Sequence, residues 1–553
     1  MTQPQKSEMQ QALHRQNLML DRYKKSKFLI IEDSAEARGM LRGMLKDLSA
    51  VDIDLATNGE DAIEHLSRHS YDVVLCDYNL GKGKDGQQIL EEGRYSGFLK
   101  NSTIFIMVTA ETSLEMVMGA LEYQPDSYIS KPFTRNELKT RLERTMHVKV
   151  DYNSIESAFQ VKNYQKTILL CEEKIRKDKR GAMRAHRIRA ECFMAIEEFE
   201  KALKVYTAIS RERGLPWAKI GKGKALFNLE RHPEAEEIFQ ELIVEQPNVI
   251  ESYDWLARIL MAGTKYKAAQ ATLMEATIRS PKAVLRQMEL ARLAMFNNSY
   301  LVAEKAFRKA IVLGSHSCYN SPENYLQYVR SLLVKIDGSK SKLSSGAFQE
   351  ARLFLKRMRK EFSKDPIVLV RSTWLESLVC GSYGALDERG ELLKKATGLY
   401  HEFEEKQRIS YADEYVQTLC SQGLMAEAEQ FTTEFAAEFD HSLLNERLLQ
   451  RLECGKERLV AEKISEEAIN LYSRGAVVEA YAKFSDAASK RGASPSILIR
   501  AVSTCLELAE KRHLNTEEWR TNCQIFLTRL SGLDEYDHRY QQYEELKQRY
   551  SAL

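Results

Sequence analysis

Proline, glycine and paired cysteines are scarce in this chain. It has 10 prolines and 26 glycines among 553 residues, and because both residue types interrupt helices, their scarcity favours a helix-rich protein. The nine cysteines are scattered, odd in number and form no CxxC pair. This pattern argues against a disulfide framework or a zinc site and favours a reducing compartment.

Long apolar runs and a charge excess are also missing. No run of about 18 apolar residues occurs, so we expect no membrane span. The first 25 residues carry charges throughout and lack the apolar core of a secretory signal, which predicts a cytoplasmic protein. With 81 basic and 79 acidic residues, the chain has no general attraction for nucleic acid. It also lacks a helix-turn-helix with a basic recognition face, so we expect no direct DNA binding.

The length and the pattern of the chain predict several domains. A chain of 553 residues is too long for one core. In its first part, apolar runs of strand length alternate with amphipathic segments. They predict strands at 28–31, 53–56, 71–77, 103–108 and 127–129, and helices at 35–48, 60–65, 87–92, 114–121 and 134–147. Strict alternation predicts a parallel sheet with right-handed crossovers and helices on both faces.

The third predicted strand ends in a carboxylate. Its residues Val73, Val74, Leu75 and Cys76 are apolar on both faces, as a buried parallel strand requires. Asp77 then lies at the carboxyl end of the strand, where open α/β sheets build their sites. We predict that Asp77 is a phosphoryl acceptor and that Cys76 is a small core residue.

Polar residues follow the other predicted strands too: Glu32 and Asp33 the first, Thr109 the fourth, Lys131 the fifth. Three converging carboxylates would repel one another unless a divalent cation neutralised them, and Mg²⁺ suits such a site. A carboxylate beside that cation can attack a phosphoryl group. Lys131 can stabilise the transferred charge, and the Thr109 hydroxyl can bond a phosphoryl oxygen.

Together with Tyr128 and Pro132, these residues occur in the order and positions typical of the response-regulator receiver domain, which this part of the chain resembles. That domain is the flavodoxin-like phosphoacceptor module of bacterial two-component signalling. The resemblance implies that Glu32, Asp33 and Asp77 hold Mg²⁺, together with the main-chain carbonyl of Asn79. It further implies phosphorylation of Asp77, a switch pair formed by Thr109 and Tyr128, a phosphate contact from Lys131, and a cis peptide bond between Lys131 and Pro132.

Two departures from the family pattern stand out. Glu32 replaces the commoner aspartate. The loop 78–86 has glycines where the family commonly has proline, and it is about one residue longer before Asp85-Gly86. These changes leave the acceptor chemistry intact but bear on the rigidity of the loop.

After residue 147 the sequence turns helical and repeats with a period near 34 residues. Pro247 and Pro281 lie 34 residues apart. The same step relates three sets of small or large apolar residues: Ala235, Ala269 and Ala303; Phe239, Leu273 and Phe307; Gly223, Ala257 and Ala291. Small residues at helix contacts with this period are typical of tetratricopeptide repeats, and this part of the chain resembles such an array.

The predicted organisation has five parts. They are an N-terminal helical extension 1–26, a receiver domain 27–147, tetratricopeptide-like repeats 148–313, an irregular connection 314–346, and a second, more divergent repeat segment 347–553. The resulting fold class is a flavodoxin-like α/β domain joined to an all-α superhelical solenoid.

The resemblance implies a response regulator that a sensor histidine kinase or a phosphotransfer protein phosphorylates, with output through an unknown protein bound in the repeat groove. Beyond phosphotransfer to itself and slow autodephosphorylation, we expect no enzyme activity, since Walker, dinucleotide, HExxH and GxSxG motifs are absent. The face formed by residues 112–147 could pair two receivers in a homodimer or dock on the repeats. The alternatives are a phosphorelay intermediate or phosphate sink, and a scaffold whose receiver is never phosphorylated.

Overall fold

The computed structural model describes residues 19–110, 125–178, 182–336, 341–439, 441–511, 518–533 and 539–553. The chain forms two units. The first consists of Met1–Gln287 with Val312–Asn320, and the second of Met288–Ile311 with Ser321–Leu553. The predicted helix at 114–121 and most of the predicted N-terminal extension lie outside the described residues.

The first unit opens with a five-stranded parallel sheet in the order β2-β1-β3-β4-β5. Its strands are β1 (Lys27–Ile31), β2 (Asp52–Ala56), β3 (Val73–Asp77), β4 (Ile104–Thr109) and β5 (Ser127–Ser130). The predicted parallel sheet is confirmed, and each strand lies within two residues of its predicted limits. The strand order reverses beside β1, which places a crevice at the carboxyl ends of β1 and β3.

Helices cover both faces of the sheet, as predicted. They are α1 (Ala35–Asp47), α2 (Gly59–Arg68), α3 (Gly86–Tyr95) and α4 (Arg135–Gln160). Alternate strand residues enter opposite clusters: Val73 and Leu75 pack with α1 and α4, whereas Val74 and Cys76 pack with α2 and α3. Cys76 is fully buried, so its interpretation as a core residue is confirmed. All nine cysteines are free thiols.

Helix α4 is longer than predicted. Thr134 and Glu137 form a capping box that fixes its start, and the helix then runs 13 residues past His147, to Gln160. The predicted end at 147 is wrong because residues 148–160 contain no proline or glycine that would stop a helix. Lys149, beyond the predicted end, pairs with Asp126 at 3.1 Å. The sheet domain is thus joined to the helical region by a continuous helix.

The rest of the described chain is helical. Its helices are α5 (Tyr164–Lys177), α6 (Met183–Ala195), α7 (Phe199–Arg213), α8 (Pro216–Asn228), α9 (His232–Glu245), α10 (Glu251–Ala262), α11 (Tyr266–Arg279), α12 (Val284–Phe296), α13 (Tyr300–Gly314), α14 (Pro322–Leu332), α15 (Lys342–Glu361), α16 (Pro366–Tyr383), α17 (Leu386–His401), α18 (Glu405–Ser421), α19 (Met425–Glu438), α20 (Ser442–Ser473), α21 (Val477–Ser489), α22 (Pro495–Glu510), α23 (Glu518–Leu530) and α24 (Tyr540–Ala552). No helix among the described residues is long and apolar enough to cross a membrane.

Backbone conformation shows that the repeat begins at α4. From α4 to α13, the two helices of each pair are joined by a three-residue turn whose middle residue has a positive φ of 58–61°. These residues recur 33–35 positions apart and are Lys162, Glu197, Glu230, Thr264 and Asn298. Left-handed residues that are not glycine are uncommon, so five of them at one spacing identify five equivalent helix pairs.

Packing explains the small residues of the repeat. Ala235, Ala257 and Ala269 are fully buried, as are the large partners Phe239 and Leu273. Two helices approach closely only where side chains are small. At Gly223 the neighbouring helix is so close that an added Cβ would lie 2.5 Å from the ring of Phe239.

Replacing Gly223 with alanine is expected to lower the free energy of unfolding by about 1–3 kcal/mol, because the new methyl group would force the Phe239 ring from its site. Chemical denaturation followed by circular dichroism measures the change. Gly43→Ala is the control, since nothing lies within 4 Å of the added Cβ in helix α1, and a gain of about 0.5–1 kcal/mol is expected there. Equal effects of the two changes would contradict this account of the repeat contact.

The predicted irregular connection 314–346 includes a helix predicted at 324–334, which the structure confirms. It contains α14 and a 3₁₀ turn at Leu333–Lys335, and α15 already begins at Lys342. One boundary between the two units, between Asn320 and Ser321, lies within this range. In the second unit the positive-φ residues Gly384, Gly423 and Gly475 are unevenly spaced, and α20 spans 32 residues. The regular period is therefore confined to the helices up to α13.

Candidate functional site

The crevice beside β1 brings three carboxylates together. Glu32 and Asp33 directly follow β1, and Asp77 is the last residue of the neighbouring β3. Glu32 is 1% and Asp77 8% exposed, whereas Asp33 faces solvent. One carboxylate oxygen from each residue lies within 4.8 Å of the others. The parallel register of β1 and β3 thus converts separate strand ends into one acidic pocket.

Lys131, which follows β5, closes this pocket. Its ammonium donates hydrogen bonds to Glu32 Oε2 at 2.8 Å and to Asp77 Oδ2 at 2.9 Å. Its main-chain N–H donates to the carbonyl of Thr109 at 2.7 Å, which ties the loop after β5 to the end of β4. The peptide bond between Lys131 and Pro132 is cis.

Burial and neighbouring charges shift the pKa values of Glu32 and Lys131 in opposite directions. Burial raises the pKa of the Glu32 carboxyl, although the hydrogen bond from Lys131 opposes the rise. Burial also lowers the pKa of Lys131, but the bonds to Glu32 and Asp77 outweigh it and raise that pKa above the ordinary lysine value. Lys131 is therefore a cation at neutral pH.

The donor set fits a magnesium ion. One ammonium cannot balance three carboxylates, so the pocket favours a further positive charge. Oxygen ligands from two or three carboxylates, with the remaining positions left to water or phosphate, are what Mg²⁺ prefers. Glu32, Asp33 and Asp77 would hold the ion, as predicted from the sequence.

Thr109 and Tyr128 occupy neighbouring strands. Thr109 ends β4 and is 1% exposed, and Tyr128 on β5 pairs in register with Met107. The half-buried Tyr128 packs against the cluster that contains Ile89 and Met107. Their role as a switch pair stays a prediction.

The loop after Asp77 contains two glycines in left-handed conformations, Gly81 with φ 73° and Gly83 with φ 102°. Asn79 Oδ1 accepts a hydrogen bond from the N–H of Gly81 at 3.3 Å, and metal binding by the Asn79 main-chain carbonyl stays a prediction. The loop ends at Gly86, where an added Cβ would lie 2.3 Å from the carbonyl oxygen of Asp77. Only glycine allows helix α3 to begin so close to the end of β3.

Sequence reasoning missed two groups that shape this site. The Arg38 guanidinium donates to the main-chain carbonyls of Glu32 at 2.6 Å and Asp33 at 3.3 Å, which holds the acidic pair in place. A basic residue near the amino end of a helix opposes the helix dipole, and this conflict was the available signal. Asp85 and Gln88 form the capping box that starts α3.

Comparison with known proteins identifies the sheet domain. Residues 28–143 match the family model for the response regulator receiver domain. The chain is 31% identical over 121 residues to the chemotaxis protein CheY-3 of Vibrio cholerae serotype O1, covering 22% of this chain and 92% of that protein. It is 30% identical over 118 residues to the chemotaxis protein CheY of Pseudomonas aeruginosa, covering 21% of this chain and 94% of that protein.

Among solved structures, the chemotaxis protein CheY4 of Vibrio cholerae is 26% identical, with a TM-score of 0.21, covering 22% of this chain and 98% of that one. The fold and the acidic pocket define a receiver domain, a doubly wound α/β domain with carboxylates at the ends of β1 and β3. Through this domain the chain belongs to the response-regulator family.

Proposed function

We propose that this chain is a response regulator of a phosphorelay, phosphorylated on Asp77, and that its helical repeats deliver the output by binding another protein. One observation carries the proposal: Asp77 lies in a three-carboxylate pocket and is held by the Lys131 ammonium. A sensor histidine kinase or a phosphotransfer protein is the expected phosphoryl donor, as the receiver family implies.

The chemistry transfers one group and needs no redox partner. An oxygen of the Asp77 carboxylate attacks the donor phosphorus, an O–P bond forms, and the bond from phosphorus to the donor breaks with its electron pair leaving on the donor. The product is an acyl phosphate, which water later hydrolyses to restore the carboxylate. The Lys131 ammonium stabilises the negative charge on the oxygens of the transferred phosphoryl group.

Mg²⁺ bound by Glu32, Asp33 and Asp77 would neutralise negative charge that develops on the phosphoryl group. Arg38 keeps the loop that carries the acidic pair in position. The Thr109 hydroxyl, buried at the end of β4, is suited to bond a phosphoryl oxygen.

The output proposal rests on the helix pairs from α4 to α13. Their common turn conformation and their spacing of 33–35 residues support a tetratricopeptide-like array. Repeats of this kind present extended surfaces that bind peptides or helices and do not themselves catalyse reactions.

Incubating the full chain with acetyl phosphate and Mg²⁺ is expected to add one phosphoryl group, which mass spectrometry would map to the peptide containing Asp77. Removing Mg²⁺ with EDTA is expected to slow this uptake at least about 100-fold, because a bound cation contributes several kcal/mol of charge stabilisation. Replacing Mg²⁺ with Ca²⁺ tests whether phosphoryl uptake needs an ion that prefers octahedral coordination. Uptake that is insensitive to EDTA would contradict the metal role of the three carboxylates.

The two alternative functions give different results. A phosphate sink would turn over quickly, and its affinity for a protein partner would not change in Asp77→Asn. A scaffold with a structural receiver would take up no phosphoryl group from acetyl phosphate and Mg²⁺. A response regulator would change its partner affinity when beryllofluoride, which mimics the acyl phosphate, is bound to Asp77.

A further inference from the structure

The receiver contacts the helical region through the residues that follow its acceptor strand. Tyr78, immediately after Asp77, lies against Lys282, and helix α3 lies against the segment Val312–Asn320, which begins in the last turn of α13. All of these residues belong to the first unit. The contact is therefore internal to one unit of the chain and spans more than 200 positions of sequence.

Tyr78 ties the contact to the acceptor strand. Its side chain is 3% exposed, and its N–H donates to the carbonyl of Val108 on β4 at 2.9 Å. The Lys282 ammonium nitrogen lies 5.2 Å from the centroid of the Tyr78 ring and 3.3 Å from the Tyr78 hydroxyl oxygen. A cation over an aromatic ring is an attractive contact, so the position of Lys282 depends on the peptide next to Asp77.

The start of helix α3 is also in direct contact with the residues at the end of β3. The N–H of Gly86 donates to the carbonyl of Tyr78 at 2.9 Å, and the space beside Gly86 is filled by the carbonyl of Asp77. Burial raises the pKa of the Asp85 carboxyl that caps α3, and the positive charge of Lys282 opposes the rise. Because Gly86 packs directly on the carbonyl of Asp77, a displacement of the peptide after Asp77 is expected to move the start of α3.

Two contacts on α3 reach the segment Val312–Asn320. Gln88 Nε2 donates to the carbonyl of Leu313 at 2.9 Å. The rings of Tyr95 and Tyr319 meet edge to face with centroids 5.8 Å apart, a favoured arrangement. Consistent with these contacts, Val312–Asn320 belongs to the unit that contains the receiver, whereas the preceding Met288–Ile311 belongs to the other unit.

We propose that helix α3 and Tyr78 form the output surface of the receiver, and that its partner is the segment Val312–Asn320 with Lys282 of the same chain. Occupancy of Asp77 then shifts the loop after β3, and α3 carries the shift to the end of the fifth helix pair. The inference rests on phosphorylation of Asp77. This surface differs from the face formed by residues 112–147, for which the sequence left open receiver pairing or docking on the repeats.

Hydrogen exchange of the full chain, with and without beryllofluoride and Mg²⁺, tests the proposal. Ligand binding is expected to change the exchange rate of amides in 312–320 by about fivefold, the lower end of typical coupling between sites. Tyr95→Ser and Lys282→Ala are expected to remove this change while the amides of β4 still respond. Tyr95 is 70% exposed, so its loss does not open the core.

The matched control is Lys267→Ala, an exposed lysine on α11, which is expected to behave as wild type. Circular dichroism checks that each variant keeps its helix content. Coupling is reciprocal, so the two interface variants are also expected to change the apparent affinity for beryllofluoride, by the same factor.

The outcomes separate this inference from the proposed function. If beryllofluoride binds and changes exchange in β4 but leaves 312–320 unchanged, the output surface is refuted and Asp77 remains an acceptor. If 312–320 responds equally in wild type and in both interface variants, α3 is not the route and the inference is refuted. If beryllofluoride does not bind at all, the acceptor role of Asp77 fails first, and the inference fails with it.

Discussion

Asp77→Asn is expected to abolish phosphoryl uptake from acetyl phosphate, lowering the rate by about three orders of magnitude or more. An amide lacks the anionic oxygen that attacks phosphorus, and none of the neighbouring carboxylates can replace it. Glu32 is held by Lys131, and Asp33 is exposed on the loop after β1. Radiolabelled phosphate or intact-protein mass measures the uptake.

The same change is expected to leave the fold intact, since an asparagine oxygen can still accept the hydrogen bond that Lys131 donates to Asp77. Asp47→Asn is the matched control, because this aspartate is exposed and pairs only with Arg135 among the described ion pairs. Its uptake is expected to equal that of wild type. Label that persists in Asp77→Asn on another residue would show that the acceptor lies elsewhere.

Lys131→Ala is expected to slow phosphoryl uptake about 100-fold, the usual cost of removing one group that stabilises transferred charge. The same change is not expected to weaken the binding of Mg²⁺. With the ammonium gone, the three carboxylates carry more uncompensated charge, so Mg²⁺ is expected to bind at least as tightly as in wild type. Titration calorimetry with Mg²⁺ and single-turnover uptake measure the two effects separately.

Lys131→Ala also has a consequence for stability. Glu32 and Asp77 are nearly buried, and without their cation they are expected to cost the folded state about 1–3 kcal/mol. Mg²⁺ is expected to restore much of that loss, so the variant gains more from added Mg²⁺ than wild type does. Parallel losses of uptake and of Mg²⁺ affinity would instead show that Lys131 only maintains the shape of the pocket.

Much of the receiver is predictable because its signals are local. A strand buried on both faces must be apolar throughout, which identifies β1, β3 and β4 directly. Polar residues at their carboxyl ends then meet by topology alone, as Glu32, Asp33 and Asp77 do. The repeat is predictable for a similar reason, since close helix contacts require small residues at a fixed spacing.

The errors arose where the local signals were weak. Helix α4 continues past His147 because nothing in the following residues stops it, while contacts such as Lys149 with Asp126 hold its second half in place. The role of Arg38 was missed because its partners are main-chain carbonyls, and its unfavourable position near the amino end of α1 was the available signal.

The receiver sheet, the acidic pocket and the 34-residue helix pairs are predictable from the sequence alone, because each follows from residue type and spacing within a short stretch. Where the receiver touches the helical region is visible only after folding. Gln88 and Leu313 are 225 positions apart. No pattern of residues within a short stretch predicts a contact over that separation, because the contact depends on how the chain packs after its local structure has formed.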